Sequence, residues 1–136
     1  MANIAVLGSG GWGTALAVLA NREGHTVSLW SPFQEELDAI RRDGEHKKLL
    51  PGVPVPPSIT LTTDIGCTAD AALTLLVVPS FAIVQTAEKL RGVLRDGALI
   101  ANAGKGIESH TRRRFTEILA ETLPTARIVA LSGPSH

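Results

Sequence analysis

The sequence predicts an α/β fold in which a doubly wound, mainly parallel β-sheet is covered by helices on both faces. Short apolar runs, typical of buried strands, alternate along the chain with longer segments whose apolar residues recur at helical spacing. The runs are apolar on both faces, as in parallel sheets packed between helices. Right-handed crossovers then leave the doubly wound arrangement as the natural topology.

The apolar pattern predicts six strands with helices between them. Strands are predicted over residues 4–7, 26–30, 59–62, 73–78, 98–101 and 127–131. The first helix has its apolar stripe at Trp12, Leu16, Leu19 and Ala20, and Gly24 is expected to end it as a left-handed cap. Asp64 is expected to cap a brief helix.

Three further helices follow from the same pattern. The later apolar stripes begin at Leu37, at Ile83 and at Phe115, the last in a helix that starts near Ser109. Residues 44–58 hold four prolines, which predict an irregular, largely extended loop.

Length and composition indicate one domain spanning residues 1–136. The 13 basic and 13 acidic residues balance, so no overall charge favours nucleic acid or a membrane surface. The single cysteine, Cys67, cannot form an internal disulfide, and the four histidines show no zinc-ligand spacing. No apolar stretch is long enough to span a bilayer. We therefore expect a cytoplasmic protein without a bound metal ion.

A glycine-rich turn follows the first predicted strand and opens the first helix. Gly8, Gly10 and Gly13 satisfy the pattern G-x-G-x-x-G in the context in which it binds dinucleotides. Gly8 permits the tight turn, Gly10 lets the backbone approach a pyrophosphate, and Gly13 lets helix and strand pack closely. Trp12 either shields the ligand or begins the buried stripe of the helix. The turn predicts a dinucleotide-binding Rossmann domain, with the phosphates at the positive end of the helix.

The sequence leaves the choice between NAD and NADP open. An NAD site usually has an acidic residue at the end of the second strand, where this chain has Trp-Ser-Pro at residues 30–32. Glu35 and Glu36 come later and are expected to face water on the next helix. Arg41 and Arg42 are expected on a solvated face of the same helix.

Three more loops follow predicted strands and should line the same crevice, because the carboxyl ends of parallel strands meet at one edge of a sheet. They are residues 78–81, which include Pro79, residues 103–108 and residues 131–136. With these loops the sequence resembles the NAD(P)-dependent glycerol-3-phosphate dehydrogenases of bacterial type, in their amino-terminal coenzyme-binding domain. The matching segments, in the family's order, are GSGGWGTALA at 8–17, LLPGVPVP at 49–56, VPS at 78–80, KGIE at 105–108 and LSGPSH at 131–136.

The resemblance implies hydride transfer between NAD(P)H and dihydroxyacetone phosphate, which gives sn-glycerol 3-phosphate. It places Gly11, Trp12 and Lys105 at the coenzyme, and Lys105, Gly133 and Ser135 at the phosphate substrate. The family continues into a helical catalytic domain beyond the end of this chain. We therefore expect no catalytic residue here and dinucleotide binding without turnover, and a homodimer of the full-length protein is left open.

Two positions depart from the family pattern. A basic residue commonly follows the second strand, where this chain has Pro32 and Phe33, and an aromatic residue is common where Leu49 stands. The alternative to the dehydrogenase is a stand-alone Rossmann module that senses dinucleotide by binding without chemistry. Lys105 and the segment at 133–135 favour the dehydrogenase, because a sensor needs no site for a substrate phosphate.

Overall fold

The computed structural model describes residues 1–103 and 114–131. Within these ranges strands and helices alternate as the apolar runs predict. The strands are β1 (Asn3–Leu7), β2 (Thr26–Trp30), β3 (Glu45–His46), β4 (Leu50–Pro54), β5 (Thr60–Thr62), β6 (Leu73–Leu76), β7 (Leu99–Asn102) and β8 (Arg127–Ala130). The helices are α1 (Gly11–Arg22), α2 (Gln34–Asp43), α3 (Ile83–Leu90) and α4 (Phe115–Thr122), with short 3-10 helices at Ile65–Thr68 and Ser80–Ala82.

Six of these strands form one parallel sheet in the order β5-β2-β1-β6-β7-β8. The chain builds outward from β1 through β2 to β5, and then returns to the other side of β1 to add β6, β7 and β8. The order therefore reverses between β1 and β6, and ligands of such sheets bind beyond the carboxyl ends of the strands at this point. The prediction of a doubly wound, parallel α/β fold is confirmed.

Helices cover both faces of the sheet and bury two separate apolar cores. On one face α1 contributes Ala17 and α2 contributes Ile40. On the other face Leu90 of α3 packs with Leu119 of α4. Consecutive side chains of β1 enter opposite cores, because neighbouring residues of a strand point to opposite faces.

The buried face of α1 differs from the predicted stripe. Leu19, expected in the core, is 51% exposed, and Trp12 is 47% exposed. The buried positions of the helix are Gly13, Thr14, Ala17 and Val18. The predicted stripe is therefore wrong at Leu19, because a helix that lies this close to the sheet presents its small residues inward and its large ones to the sides.

Residues 44–58 contain an antiparallel hairpin of β3 and β4, so the prediction of an irregular loop is wrong there. Helix α2 ends at Gly44, whose φ of 70° turns the chain into the hairpin. Glu45 pairs with Pro54, and the Val55 N–H donates to the Gly44 carbonyl at 2.8 Å. A two-stranded ladder consists of edge strands, and these tolerate proline because one side of each strand needs no N–H donor.

The remaining predicted strands agree with the structure to within two residues. Gly24 follows α1 with a φ of 94°, as expected for a left-handed cap. The Asp64 carboxylate accepts a hydrogen bond from the Gly66 N–H at 2.8 Å at the start of the predicted brief helix. The expected helix start near Ser109 lies outside the described residues. Among the helices that the structure describes, none is long and apolar enough to cross a membrane.

Two leucine-to-alanine substitutions in helices should differ in their effect on stability, because one leucine is buried and the other is exposed. Leu119 is fully buried, so Leu119→Ala should lower the free energy of unfolding by about 2–5 kcal/mol through lost contacts and the cavity left behind. Leu19→Ala makes the same chemical change at a half-exposed site and should cost less than about 0.5 kcal/mol. Urea unfolding followed by circular dichroism measures both, and equal losses would contradict the observed orientation of α1.

Candidate functional site

A crevice of about 530 Å³ opens at the carboxyl ends of β1, β2 and β6, where the strand order reverses. Three segments line it: the glycine-rich turn, the end of β2 with the start of α2, and the segment after β6 with α3. The predicted coenzyme residues found in its lining are Gly8, Gly10, Gly11, Trp12, Gly13 and Pro79. The other predicted site residues, Lys105, Gly133 and Ser135, lie outside the described part of the chain.

Two glycines of the turn are required by the packing of α1 on the sheet. Gly8 has a φ of 126°, and a Cβ there would lie 2.6 Å from the Val77 carbonyl oxygen. A Cβ on Gly13 would overlap the Gly8 carbonyl oxygen. Side chains at these two positions would therefore push the start of α1 away from the ends of β1 and β6.

Gly10 has open space before it instead. A Cβ there would meet no atom within 4 Å, and its φ of −69° is accessible to every residue. Gly10 is also the N-cap of α1, and no side chain caps the first turn of this helix. A dinucleotide pyrophosphate fits this place, because it would accept hydrogen bonds from the uncapped N–H groups at the positive end of the helix.

The hairpin forms one wall of the crevice through its contact with Gly11. A Cβ on Gly11 would lie 2.9 Å from the Leu49 carbonyl oxygen, so the hairpin rests directly against the start of α1. The Leu49 side chain is 53% exposed and lines the crevice. The hairpin was not predicted, and its contribution to the site could not be read from the motif alone.

Trp12 lies along the crevice and is not part of the buried face of α1. Its indole N–H donates to the Ala103 carbonyl at 3.2 Å. Ala103 directly follows β7, and β6 lies between β1 and β7 in the sheet. The Trp12 side chain therefore reaches from the start of α1 past the end of β6 to the end of β7. Of the two interpretations of Trp12, burial in the helix stripe is excluded, and shielding of a ligand is consistent with its position.

Exposed apolar side chains are concentrated around this crevice. Phe33, after β2, is 62% exposed, and Phe81, after β6, is 82% exposed; both line it, as does Pro79. Large apolar side chains exposed together usually mark a binding site. The sequence places Phe81 in a predicted lining loop, and Phe33 directly follows the end of the second strand, where the chain departs from the family pattern. The apolar groups on two sides of the crevice suit a flat base between them.

Glu36 lines the crevice, where its side chain is 35% exposed, so it faces water in part as expected, but toward the crevice and not on an open helix face. Its Oε1 atom accepts a hydrogen bond from the Ser9 hydroxyl at 2.6 Å and lies 3.6 Å from Nε2 of His46. Glu35, one residue earlier on α2, is exposed, as predicted. The exposure expected for Arg41 and Arg42 is also observed.

Lys89 of α3 approaches the crevice from the side opposite to α2. Its Nζ atom lies 5.3 Å from the centroid of the Trp30 ring, within the range of a cation–π contact. No carboxylate of the described residues lies within 4.0 Å of it. Trp30 is itself buried, and its indole N–H donates to the Thr63 carbonyl at 2.9 Å, which fixes the end of β2.

The described residues contain neither a group of metal ligands nor a reactive thiol. Within residues 1–103 and 114–131, no three His, Cys, Asp or Glu side chains are grouped so that they could hold a metal ion. Cys67 is half-buried, and burial, with the Asp64 carboxylate adding to it, raises the pKa of the thiol to about 11. A thiol with this pKa is almost wholly protonated at neutral pH and is a poor nucleophile.

Comparisons with known proteins relate the chain to dehydrogenases. The family model described as NAD-dependent glycerol-3-phosphate dehydrogenase N-terminus matches residues 3–136. A curated relative from Desulfitobacterium hafniense (strain Y51), named glycerol-3-phosphate dehydrogenase, NAD(P)+, is 43% identical over 136 residues, which are 100% of this chain and 39% of the relative. A relative of the same name from Moorella thermoacetica is 43% identical over 98% of this chain and 40% of its own length. The chain thus spans about two fifths of the length of these relatives.

Solved structures show the same fold. The crystal structure of glycerol-3-phosphate dehydrogenase from Coxiella burnetii superimposes with a TM-score of 0.89 at 32% identity, and the match covers 99% of this chain and 42% of that one. The whole described arrangement of strands and helices therefore has a counterpart in a known dehydrogenase structure.

The two kinds of glycine in the turn should respond differently to alanine. Gly13→Ala should lower the free energy of unfolding by about 2 kcal/mol or more, because the new methyl group overlaps the Gly8 carbonyl. Gly10→Ala should change it by less than about 1 kcal/mol, because the methyl group meets no protein atom. Thermal unfolding of the two variants beside the wild type measures this, and a stable Gly13→Ala protein would contradict the packing described.

Cys67 should be alkylated slowly in the folded protein. Because its pKa is about 11 instead of the usual 9.0, its thiolate fraction at pH 8 is about a hundredfold smaller than in the unfolded chain. Mass spectrometry after timed exposure to iodoacetamide, with and without urea, measures the two rates. Equal rates would show that the thiol is neither buried nor shifted.

Proposed function

Because the chain belongs to the NAD-dependent glycerol-3-phosphate dehydrogenase family, whose amino-terminal model it matches over residues 3–136, we propose that residues 1–136 form a dinucleotide-binding domain. The observation that carries the proposal is the open space before Gly10, at the uncapped start of α1 and at the reversal of strand order. A helix start in this position offers several N–H donors to an anion.

The residues of the crevice have distinct proposed roles in binding. Gly8 and Gly13 hold α1 against the sheet, so that its first-turn N–H groups point at the pyrophosphate. Gly10 leaves room for it, and Trp12 and Pro79 lie along the dinucleotide. A bound nicotinamide coenzyme supplies the hydride of a dehydrogenase reaction.

For the whole protein we propose hydride transfer between NAD(P)H and dihydroxyacetone phosphate to give sn-glycerol 3-phosphate. The family and the names of the relatives support this reaction. In this proposal Lys105 contacts coenzyme and substrate, and Gly133 and Ser135 bind the substrate phosphate, as the resemblance implies. Catalysis in a helical carboxy-terminal domain, a cytoplasmic location and a homodimer of the full-length protein stay predictions.

The alternative of a stand-alone dinucleotide sensor has less support. Coenzyme binding alone is common to both hypotheses, and no feature of the described residues is specific to a sensor. The segments that carry the resemblance to the dehydrogenases run through the whole chain, from the glycine-rich turn to residues 131–136.

Calorimetric titration of this chain with NADH and with NADPH tests the proposed function. We expect saturable binding of at least one coenzyme. Gly10→Ala should stay folded and weaken that binding by about tenfold or more, because its methyl group occupies the place of the pyrophosphate.

The control for this titration is Leu19→Ala, which changes the exposed side of α1 and should leave the affinity unchanged. Circular dichroism confirms that each variant is folded. A folded wild-type chain that binds neither coenzyme, or a Gly10→Ala variant with undiminished affinity, would contradict the proposed site.

A further inference from the structure

The end of β2 lacks the group that dinucleotide sites usually place there. An acidic residue at this point commonly accepts hydrogen bonds from the ribose hydroxyls of the adenosine half. Here Ser31 occupies the position, is 1% exposed and accepts a hydrogen bond at its hydroxyl from the Phe33 N–H at 3.1 Å. The position therefore presents neither a negative charge nor an accessible side chain to a ligand.

A carboxylate reaches the same region from α2. The Gly8 N–H donates to the Trp30 carbonyl at 2.8 Å, so the glycine-rich turn lies directly beside the end of β2. Ser9, within the turn, is 4% exposed and donates to Glu36 at 2.6 Å. Glu36 thus lies directly beside the phosphate-binding turn, in the lining of the crevice.

His46 of the hairpin faces this carboxylate from the other side. Nδ1 of His46 accepts a hydrogen bond from the Leu49 N–H at 3.2 Å, so the proton of the neutral ring is on Nε2. Nε2 is buried, has no hydrogen-bond partner among the described residues and lies 3.6 Å from Oε1 of Glu36. Both contacts of Glu36 therefore fall on Oε1, and Oε2 shows none in the described part of the chain.

We propose that Glu36 accepts hydrogen bonds from the adenosine ribose of the coenzyme and selects NAD over NADP; this inference rests on the proposed function. A ribose with free hydroxyl groups donates hydrogen bonds to a carboxylate. A 2′-phosphate has no such donor and brings negative charge beside the carboxylate, which is unfavourable in a partly buried crevice. The hydrogen bond from Ser9 to Oε1 keeps the carboxylate beside the glycine-rich turn, where it would meet this repulsion.

Lys89 is the residue that would favour the opposite choice. It lines the crevice without a carboxylate partner in the described residues, and a cation there could attract a 2′-phosphate. Its ammonium group, however, lies over the Trp30 ring on the α3 side, whereas Glu36 is bonded to the glycine-rich turn itself. We therefore assign the coenzyme preference to Glu36 and include Lys89 in the test.

The test compares dissociation constants for NADH and NADPH in the wild type and in Glu36→Gln. The wild type should bind NADH more tightly, and Glu36→Gln should shift the ratio of the two constants toward NADPH by about tenfold or more, because the charge is lost while the shape is kept. Glu35→Gln is the matched control, since it removes the same charge one residue away at an exposed site. Glu35→Gln should leave the ratio within about twofold of the wild type. A larger shift of the ratio in Lys89→Gln than in Glu36→Gln would overturn the assignment of the preference to Glu36.

A second measurement needs no variant. The wild type should bind adenosine 5′-monophosphate more tightly than adenosine 2′,5′-bisphosphate, and the difference should shrink at high salt because it arises from charge repulsion. Tighter binding of the bisphosphate, or a ratio unchanged in Glu36→Gln, would overturn the role of Glu36 while leaving dinucleotide binding intact. Failure of the folded wild type to bind either coenzyme would overturn the proposed function together with this inference.

Discussion

Helix α1 meets the sheet through backbone atoms at its first turn, and the rest of the site depends on this contact. The turn passes so close to the neighbouring strand that the Val77 carbonyl blocks a side chain at Gly8, and the Gly8 carbonyl blocks one at Gly13. The same closeness leaves only small residues on the inner face of α1 and directs Trp12 and Leu19 outward. The helix start is thereby fixed at the reversal of strand order, in the lining of the crevice.

The segment from α2 to the hairpin forms the part of the crevice wall that the sheet does not provide. The backbone of Leu49 rests against Gly11, and His46 faces Glu36, which is bonded to Ser9. This segment therefore touches the glycine-rich turn at two places and puts one carboxylate, that of Glu36, into the lining of the crevice. Because the contacts are to the turn itself, a change in the hairpin can alter the crevice without changing any residue of the motif.

The parts of the fold that follow local rules could be predicted from the sequence. The six strands of the sheet are short apolar runs. The glycine-rich turn has its glycines at a spacing that is typical of one local structure, a strand, a tight turn and a helix in close contact. The hairpin could not be predicted, because its prolines oppose strand formation locally and its pairing depends on the turn at Gly44. The direction of Glu36 could not be predicted either, since it depends on how Leu37 and Ile40 rotate α2 against the core. The roles of Lys105, Gly133 and Ser135 rest on the resemblance alone.

The positions of the two tryptophans make their fluorescence a probe of the crevice. The chain contains no tyrosine, so its ultraviolet emission comes from Trp12 and Trp30. Both line the crevice, one half-exposed and the other buried beneath Lys89. Indole emission overlaps the absorption band of a reduced nicotinamide, so excitation energy would pass from either ring to a dihydronicotinamide bound there. The chain therefore contains two intrinsic donors for fluorescence energy transfer. The difference in their solvent exposure gives them distinct emission wavelengths.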